Sequence, residues 1–161
     1  MNHKTILFGV TALFSLATFS QLKAATIDLP LYGFQIDALD VAPDPDRTTT
    51  ALLLCLPVTD RFAPNINVQI QPYTETIKDY ADVSKGQFEQ LKWKVVSEKL
   101  IGDNEWSAEY TGQQQGNDLH FYSRAISKNG KVYLATGTAK ESQWATVGDT
   151  LRQHVDSLKA D

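Results

Sequence analysis

The chain predicts an α/β domain of the α+β kind, a largely antiparallel sheet with two main amphipathic helices that each cover part of it. Three observations predict this. Short segments alternate apolar and polar residues and are separated by tight turn signals, as consecutive antiparallel strands require. Two longer segments repeat apolar residues at offsets 0, 3, 4, 7, 11 and 14, which trace one face of an α-helix. Between two strand-like runs stands Asn129-Gly130, the strongest short hairpin signal in the chain.

Taken in order, the first element is a leader. Met1-Asn2-His3-Lys4 is mildly positive, Thr5 to Ala17 is apolar and uncharged, and small residues at Ala24 and Ala25 allow cleavage. A positive start, a short apolar run and a small-residue exit describe a secretory signal over 1–24. Gln21 and Lys23 end the run before the roughly 20 apolar residues that a spanning helix needs. The remainder, 25–161, reads as one domain, periplasmic or secreted, with no stable membrane anchor once the signal is cleaved. Lys4 and Lys23 are the leader's only charged side chains, so the rest of the chain is more acidic than the formal −4 of the whole. An acidic surface repels phosphate backbones and excludes nucleic acid as a partner. Cys55 is the only cysteine, so the fold does not rest on disulfides. Its apolar neighbours predict a buried, inert thiol.

Thr26-Ile27-Asp28-Leu29 and Tyr32-Gly33-Phe34-Gln35-Ile36 alternate and predict a short strand or hairpin. Two prolines make 41–47 a loop. The unbroken apolar run Ala51 to Leu56 predicts a strand buried on both faces. Ile66-Asn67-Val68-Gln69-Ile70-Gln71 has period two, with Ile66, Val68 and Ile70 inward. Thr74 or Thr76 caps the first helix, whose face is Ile77, Tyr80, Ala81, Ser84, Phe88 and Leu91. Trp93 to Ile101 predicts a strand, and Glu105 to Thr111 another with Trp106, Ala108 and Tyr110 on one face. Gly112 to Asp118 is polar and predicts a loop. Leu119 to Ser127 and Lys131 to Thr138 predict the hairpin around Asn129-Gly130. Its two-residue loop sets Ile126 opposite Tyr133, Arg124 opposite Ala135 and Tyr122 opposite Gly137. Ser142 caps the second helix, whose face is Trp144, Val147, Gly148, Leu151, Val155 and Leu158.

Several of these segments also resemble a known family. Pro30-Leu31-Tyr32-Gly33-Phe34 is similar to an opening P-x-x-G-F strand, and Ala63 to Ile70 to an N-x-N-V strand. Thr76-Ile77-Lys78-Asp79-Tyr80 is similar to a T-x-x-x-Y helix entry. Gly130 to Thr136 resembles the strand after the hairpin, and Val155 to Lys159 an S-F-K ending. In that order the motifs resemble the Mog1/PsbP-like fold, and within it the DcrB-like bacterial envelope proteins. The resemblance implies an α/β/α sandwich and a non-enzymatic binding, assembly or accessory role at a membrane face. PsbP proteins assist photosystem II at its lumenal side, DcrB is needed for adsorption of certain phages, and Mog1 binds a nuclear GTPase. It carries over no catalytic residues. The chain departs from the DcrB pattern in having no lipobox cysteine.

The residues themselves offer little reactive chemistry. A serine-hydrolase elbow is absent, as are a glycine-rich phosphate loop and an EF-hand frame. Beyond the leader, His120 and His154 are the only histidines, too few for a zinc site. His154 reads as a solvated helix residue. Asp37, Asp40, Asp44 and Asp46 form the densest acidic group, a solvated loop or a weak cation site. His120, Tyr122, Arg124 and Tyr133 fall on one sheet face, a candidate ligand or partner patch. The preferred alternative is that a helix covers this face. The expected role is an exported, non-catalytic binding or accessory protein of the cell envelope, monomeric and without cofactor, whose partner is an envelope protein or a small ligand. Two alternatives stay open: a small periplasmic hydrolase using His120 with an acid from 37–46, and a domain binding an apolar ligand between sheet and helix.

Overall fold

The structure is a computed structural model that describes residues 25–39 and 44–161. The leader expected over 1–24 lies outside the described residues. The chain divides into two units between Ala42 and Pro43. The first contains a hairpin of β1 (Thr26–Leu29) and β2 (Phe34–Asp37), in which Thr26 stands opposite Asp37 and Leu29 opposite Phe34. Pro30–Tyr32 makes one 3-10 turn, and Gly33 at φ +73° donates its N–H to the Pro30 carbonyl. That positive φ is one that glycine adopts at no steric cost.

The second unit is a six-stranded sheet with every neighbour antiparallel. Its strands are β3 (Thr49–Cys55), β4 (Asn65–Pro72), β5 (Lys94–Ile101), β6 (Glu105–Gln114), β7 (Asn117–Lys128) and β8 (Lys131–Lys140). They lie in the order β3-β4-β8-β7-β6-β5. The last four strands in sequence form a meander. Helix α1 (Ile77–Gln90) carries the chain from β4 to the far edge at β5, and α2 (Glu141–Asp156) follows β8.

Side chains alternate along β7, so the helices occupy opposite faces. Leu119, Phe121 and Ala125 cluster with Ile77, Tyr80 and Phe88 of α1. Tyr122 lies between them on β7 and packs with Trp144 and Leu151 of α2. The result is the α/β/α sandwich that the motifs imply. Both helical stripes are buried where expected: Ile77, Tyr80, Ala81 and Phe88 on α1, and Trp144, Gly148, Leu151 and Val155 on α2. Leu91 is exposed at the end of α1. Thr76 caps α1 through its hydroxyl, which accepts from the Asp79 N–H at 3.1 Å, while the Asp79 carboxylate accepts from the Thr76 N–H. The pair is a reciprocal capping box.

The Asn129-Gly130 turn has φ of +52° and +71°, and the register it sets is the one expected, Tyr122 opposite Gly137 included. Three expectations change. Gly112 to Asp118 is not a loop. Strand β6 runs to Gln114, and a second tight turn at Gln115-Gly116, φ +52° and +78°, passes directly into β7. Backbone pairing there continues without apolar residues, which is why alternation missed it. Strand β3 is an edge strand rather than one buried on both faces: Leu53 is 60% exposed and Cys55 is exposed. An apolar run reports β-propensity equally well at an edge. Helix α2 starts at Glu141, before Ser142, with the Gln143 side chain accepting from the Lys140 N–H at 3.0 Å.

Candidate functional site

His120, Tyr122, Arg124 and Tyr133 do share one face of the sheet, and α2 covers it. Tyr133 is half-buried between Ile126 and Ile70 on the neighbouring strands. The Tyr122 hydroxyl donates to the Asp156 carboxylate at 2.8 Å. Arg124 bonds Glu105 at 2.6 Å and donates to the main-chain oxygens of Asp156 and Leu158. A guanidinium at a helix C-terminus satisfies carbonyls that have no intrahelical partner. These residues hold the end of α2 in place.

The other end of the patch is built around Glu109 on β6. Its carboxylate accepts from His120 Nε2 at 2.8 Å, Trp144 Nε1 at 3.2 Å, and Arg152 Nη2 and Nε at 2.6 and 3.2 Å. Glu141 takes the second imidazole nitrogen, Nδ1, at 2.8 Å. The His120 and Trp144 rings stack at 4.0 Å, and the Arg152 guanidinium lies 5.1 Å from the indole centre. Burial pushes the Glu109 carboxyl up. Hydrogen bonds and charge from Arg152 and His120 outweigh it and hold the group below the usual carboxylate range. Both His120 nitrogens are thus engaged by Glu109 and Glu141, and His120 is buried. A nucleophile or water would have to displace one of these bonds to meet the ring.

The acidic residues make local contacts. Asp37 accepts from the Thr26 hydroxyl at 2.9 Å. Asp44 accepts from the Asp46 N–H and pairs with Arg47. Asp40 lies outside the described residues. Among the described residues, no three His, Cys, Asp or Glu side chains gather as a metal group. His154 is exposed on α2, its Nδ1 2.8 Å from the Thr150 carbonyl.

A site that sequence reasoning missed lies on the α1 face. Helix α1 leaves the β4–β8 half of that face partly open, and two clefts of about 420 and 470 Å³ adjoin at Gln69 and Tyr110. The first runs between α1 and the sheet, where an apolar pocket was one alternative, yet Gln69, Gln71 and Ser84 line it beside Phe88 and Leu134. The second continues past Trp93 to the β6–β7 turn, over Asn67, Thr136 and Thr138. The Trp93 indole lies over Gly112, where an added Cβ would come within 2.1 Å of the ring. It stacks on Phe121 at 4.9 Å and on Tyr110 at 5.7 Å. Across the floor the Tyr110, Ser123 and Thr136 hydroxyls form a chain at 3.0 and 2.9 Å.

Among the described residues, no Asp, Glu, Lys, Arg or His lines either cleft. Their ionisable groups are phenols. Burial pushes Tyr80 up to about 12 and raises Tyr110 and Tyr73 as well. These hydroxyls keep their protons at neutral pH and serve as hydrogen-bonding groups, not as bases. The signal in the sequence was the spacing of Asn65, Asn67, Gln69 and Gln71, uncharged amides on every second residue of β4. Ile66, Val68 and Ile70 do face the α2 side of the sheet, and the amides lie on the α1 side, where they line the two clefts.

No protein-family model matches the chain, and no curated protein matches it in sequence. Solved structures do. A crystal structure from Pseudomonas aeruginosa, PA94, a protein of unknown function described as a putative regulator, superposes with a TM-score of 0.62 at 15% identity. The match covers 86% of this chain and 98% of that one. The solution structure of cyanobacterial PsbP from Synechocystis matches with a TM-score of 0.47 at 14% identity, over 90% of this chain and 96% of that one. LpqN, involved in cell envelope biogenesis of Mycobacterium tuberculosis, matches with a TM-score of 0.40 at 15% identity, over 71% and 84%. The likeness is one of fold. The chain is an α+β sandwich.

Proposed function

We propose that this protein is exported and acts in the cell envelope as a non-catalytic binding or accessory protein. One observation carries the reading. The two clefts that adjoin at Gln69 and Tyr110 hold hydrogen-bonding and aromatic groups but, among the described residues, no side chain that ionises near neutral pH, and general acid–base or nucleophilic catalysis needs such a group within reach of the reacting atom. His120, the residue best suited to proton transfer, is committed to fixing α2. The leader over 1–24, ending before a spanning length, supports export. Among the described residues no helix is long and apolar enough to cross a membrane.

The test is thermal-shift screening of the purified domain against a library of neutral, charged and apolar small molecules, followed by recovery of each hit. The expected result is that hits raise the melting temperature and return chemically unchanged. Turnover of a hit, abolished by His120→Ala or Glu141→Ala, contradicts the reading and restores the hydrolase alternative.

A further inference from the structure

We propose that the adjoining clefts on the α1 face form one elongated site for a neutral saccharide chain. The assignment rests on the binding reading above and names its ligand class. Carbohydrates present hydroxyl groups around a ring whose faces carry C–H bonds. Their partners are therefore planar groups that donate and accept side by side, set next to aromatic rings. The site offers both. Asn65, Asn67, Gln69 and Gln114 supply carboxamides, each a paired donor and acceptor. Trp93, half-buried, supplies ring surface beside them. Among the described residues, the Asn67 and Gln114 side chains have no hydrogen-bond partner, so they are available to a ligand.

Other ligand classes fit less well. A phosphate or carboxylate would want Lys, Arg or His, and a cation would want carboxylates; the lining has neither. A lipid tail would want a wall free of amides, which this is not. An extended peptide gains affinity by adding a strand to a sheet edge. The floor here is the sheet's face, formed by β4 and β8, whose backbone groups pair with each other and with their other neighbours. The clefts, at about 420 and 470 Å³, are each within the roughly 300–1,000 Å³ of small-molecule sites. Sharing Gln69 and Tyr110, they suit a ligand of more than one ring.

The experiment is calorimetric titration with tetrasaccharides of glucose (α- and β-linked) and of N-acetylglucosamine. A galacturonic acid tetramer, a neutral tetrapeptide and a short alkyl glycol serve as comparisons, with tryptophan fluorescence followed in parallel. At least one neutral tetrasaccharide is expected to bind and to perturb tryptophan emission, and the anionic tetramer is not. Asn67→Ala and Gln114→Ala are expected to weaken binding about five- to tenfold each, as loss of one hydrogen bond does. Asn67 is partly exposed and Gln114 exposed, so truncating them leaves the core packed, whereas Trp93→Ala removes a ring stacked on Tyr110 and Phe121. Saccharide binding that ignores both substitutions overturns the site. Binding of the peptide or the glycol at these residues, with no saccharide bound, overturns the ligand class and leaves the binding role standing. No response to any probe overturns the saccharide site, while the binding role stands or falls with the thermal-shift screen.

Discussion

Glu109 shows how one side chain settles the role of its neighbours. Four nitrogen donors from β7 and α2 converge on its carboxylate, and a carboxylate has about that many acceptor sites. Its folded pKa lies below the unfolded value, so between the two the unfolded chain binds the extra proton. The stabilisation is therefore complete above the ordinary glutamate range and is lost as pH falls through the lower, folded value. Glu109→Gln removes the charge but keeps an amide oxygen. It is expected to cost about 2 kcal/mol at neutral pH and to flatten the loss of stability as pH falls through and below the ordinary glutamate range. Thermal unfolding measured across that range checks both, and an unchanged acid-side slope contradicts the assignment. His120 was legible in the sequence as an unusual residue on a sheet face, and so were its companions Tyr122 and Arg124. Glu109 and Arg152 were not, because their meeting depends on the distance between β6 and α2.

At the scale of elements, the turns were the most legible feature. Asn129-Gly130 fixed every cross-strand pair of β7 and β8, since a two-residue loop leaves no freedom of register. Gln115-Gly116 does the same for β6 and β7 but is flanked by polar residues, so no apolar alternation marked the strand ends it joins. Strand β3 misled for the opposite reason: Leu52 and Leu53 are apolar yet partly exposed at the sheet edge. Segment and strand meet most closely where the Trp93 ring lies on Gly112 of β6. Gly112→Ala places a methyl inside the indole, so Trp93 must leave its stack on Tyr110 and Phe121. Overpacking of this kind costs about 1–3 kcal/mol. The expected readout is a lower melting temperature with altered near-ultraviolet tryptophan dichroism. An unchanged spectrum would mean that Trp93 does not lie there.

For the molecule as a whole, the two faces of the main sheet have different work. On the α2 face Glu109, His120, Arg124 and Arg152 are matched to partners that hold the helix down. On the α1 face the β4–β8 half carries neutral amides, hydroxyls and rings, part of which neither α1 nor α2 covers. Sequence periodicity separates inside from outside but does not say how much of a face a helix covers. The sandwich was therefore readable and the open clefts were not. The most direct test is an amide NMR shift map of the isotopically labelled domain against a mixed set of neutral polar, anionic, cationic and apolar fragments. The account predicts that neutral polar and aromatic fragments shift the amides of Asn67, Gln69, Gln114 and Thr138, at similar affinity from about pH 6 to about pH 8, and leave His120 and Arg152 unmoved. Fragment responses centred on His120, Glu141 and Trp144, or affinity that follows a titration in that range, would contradict it.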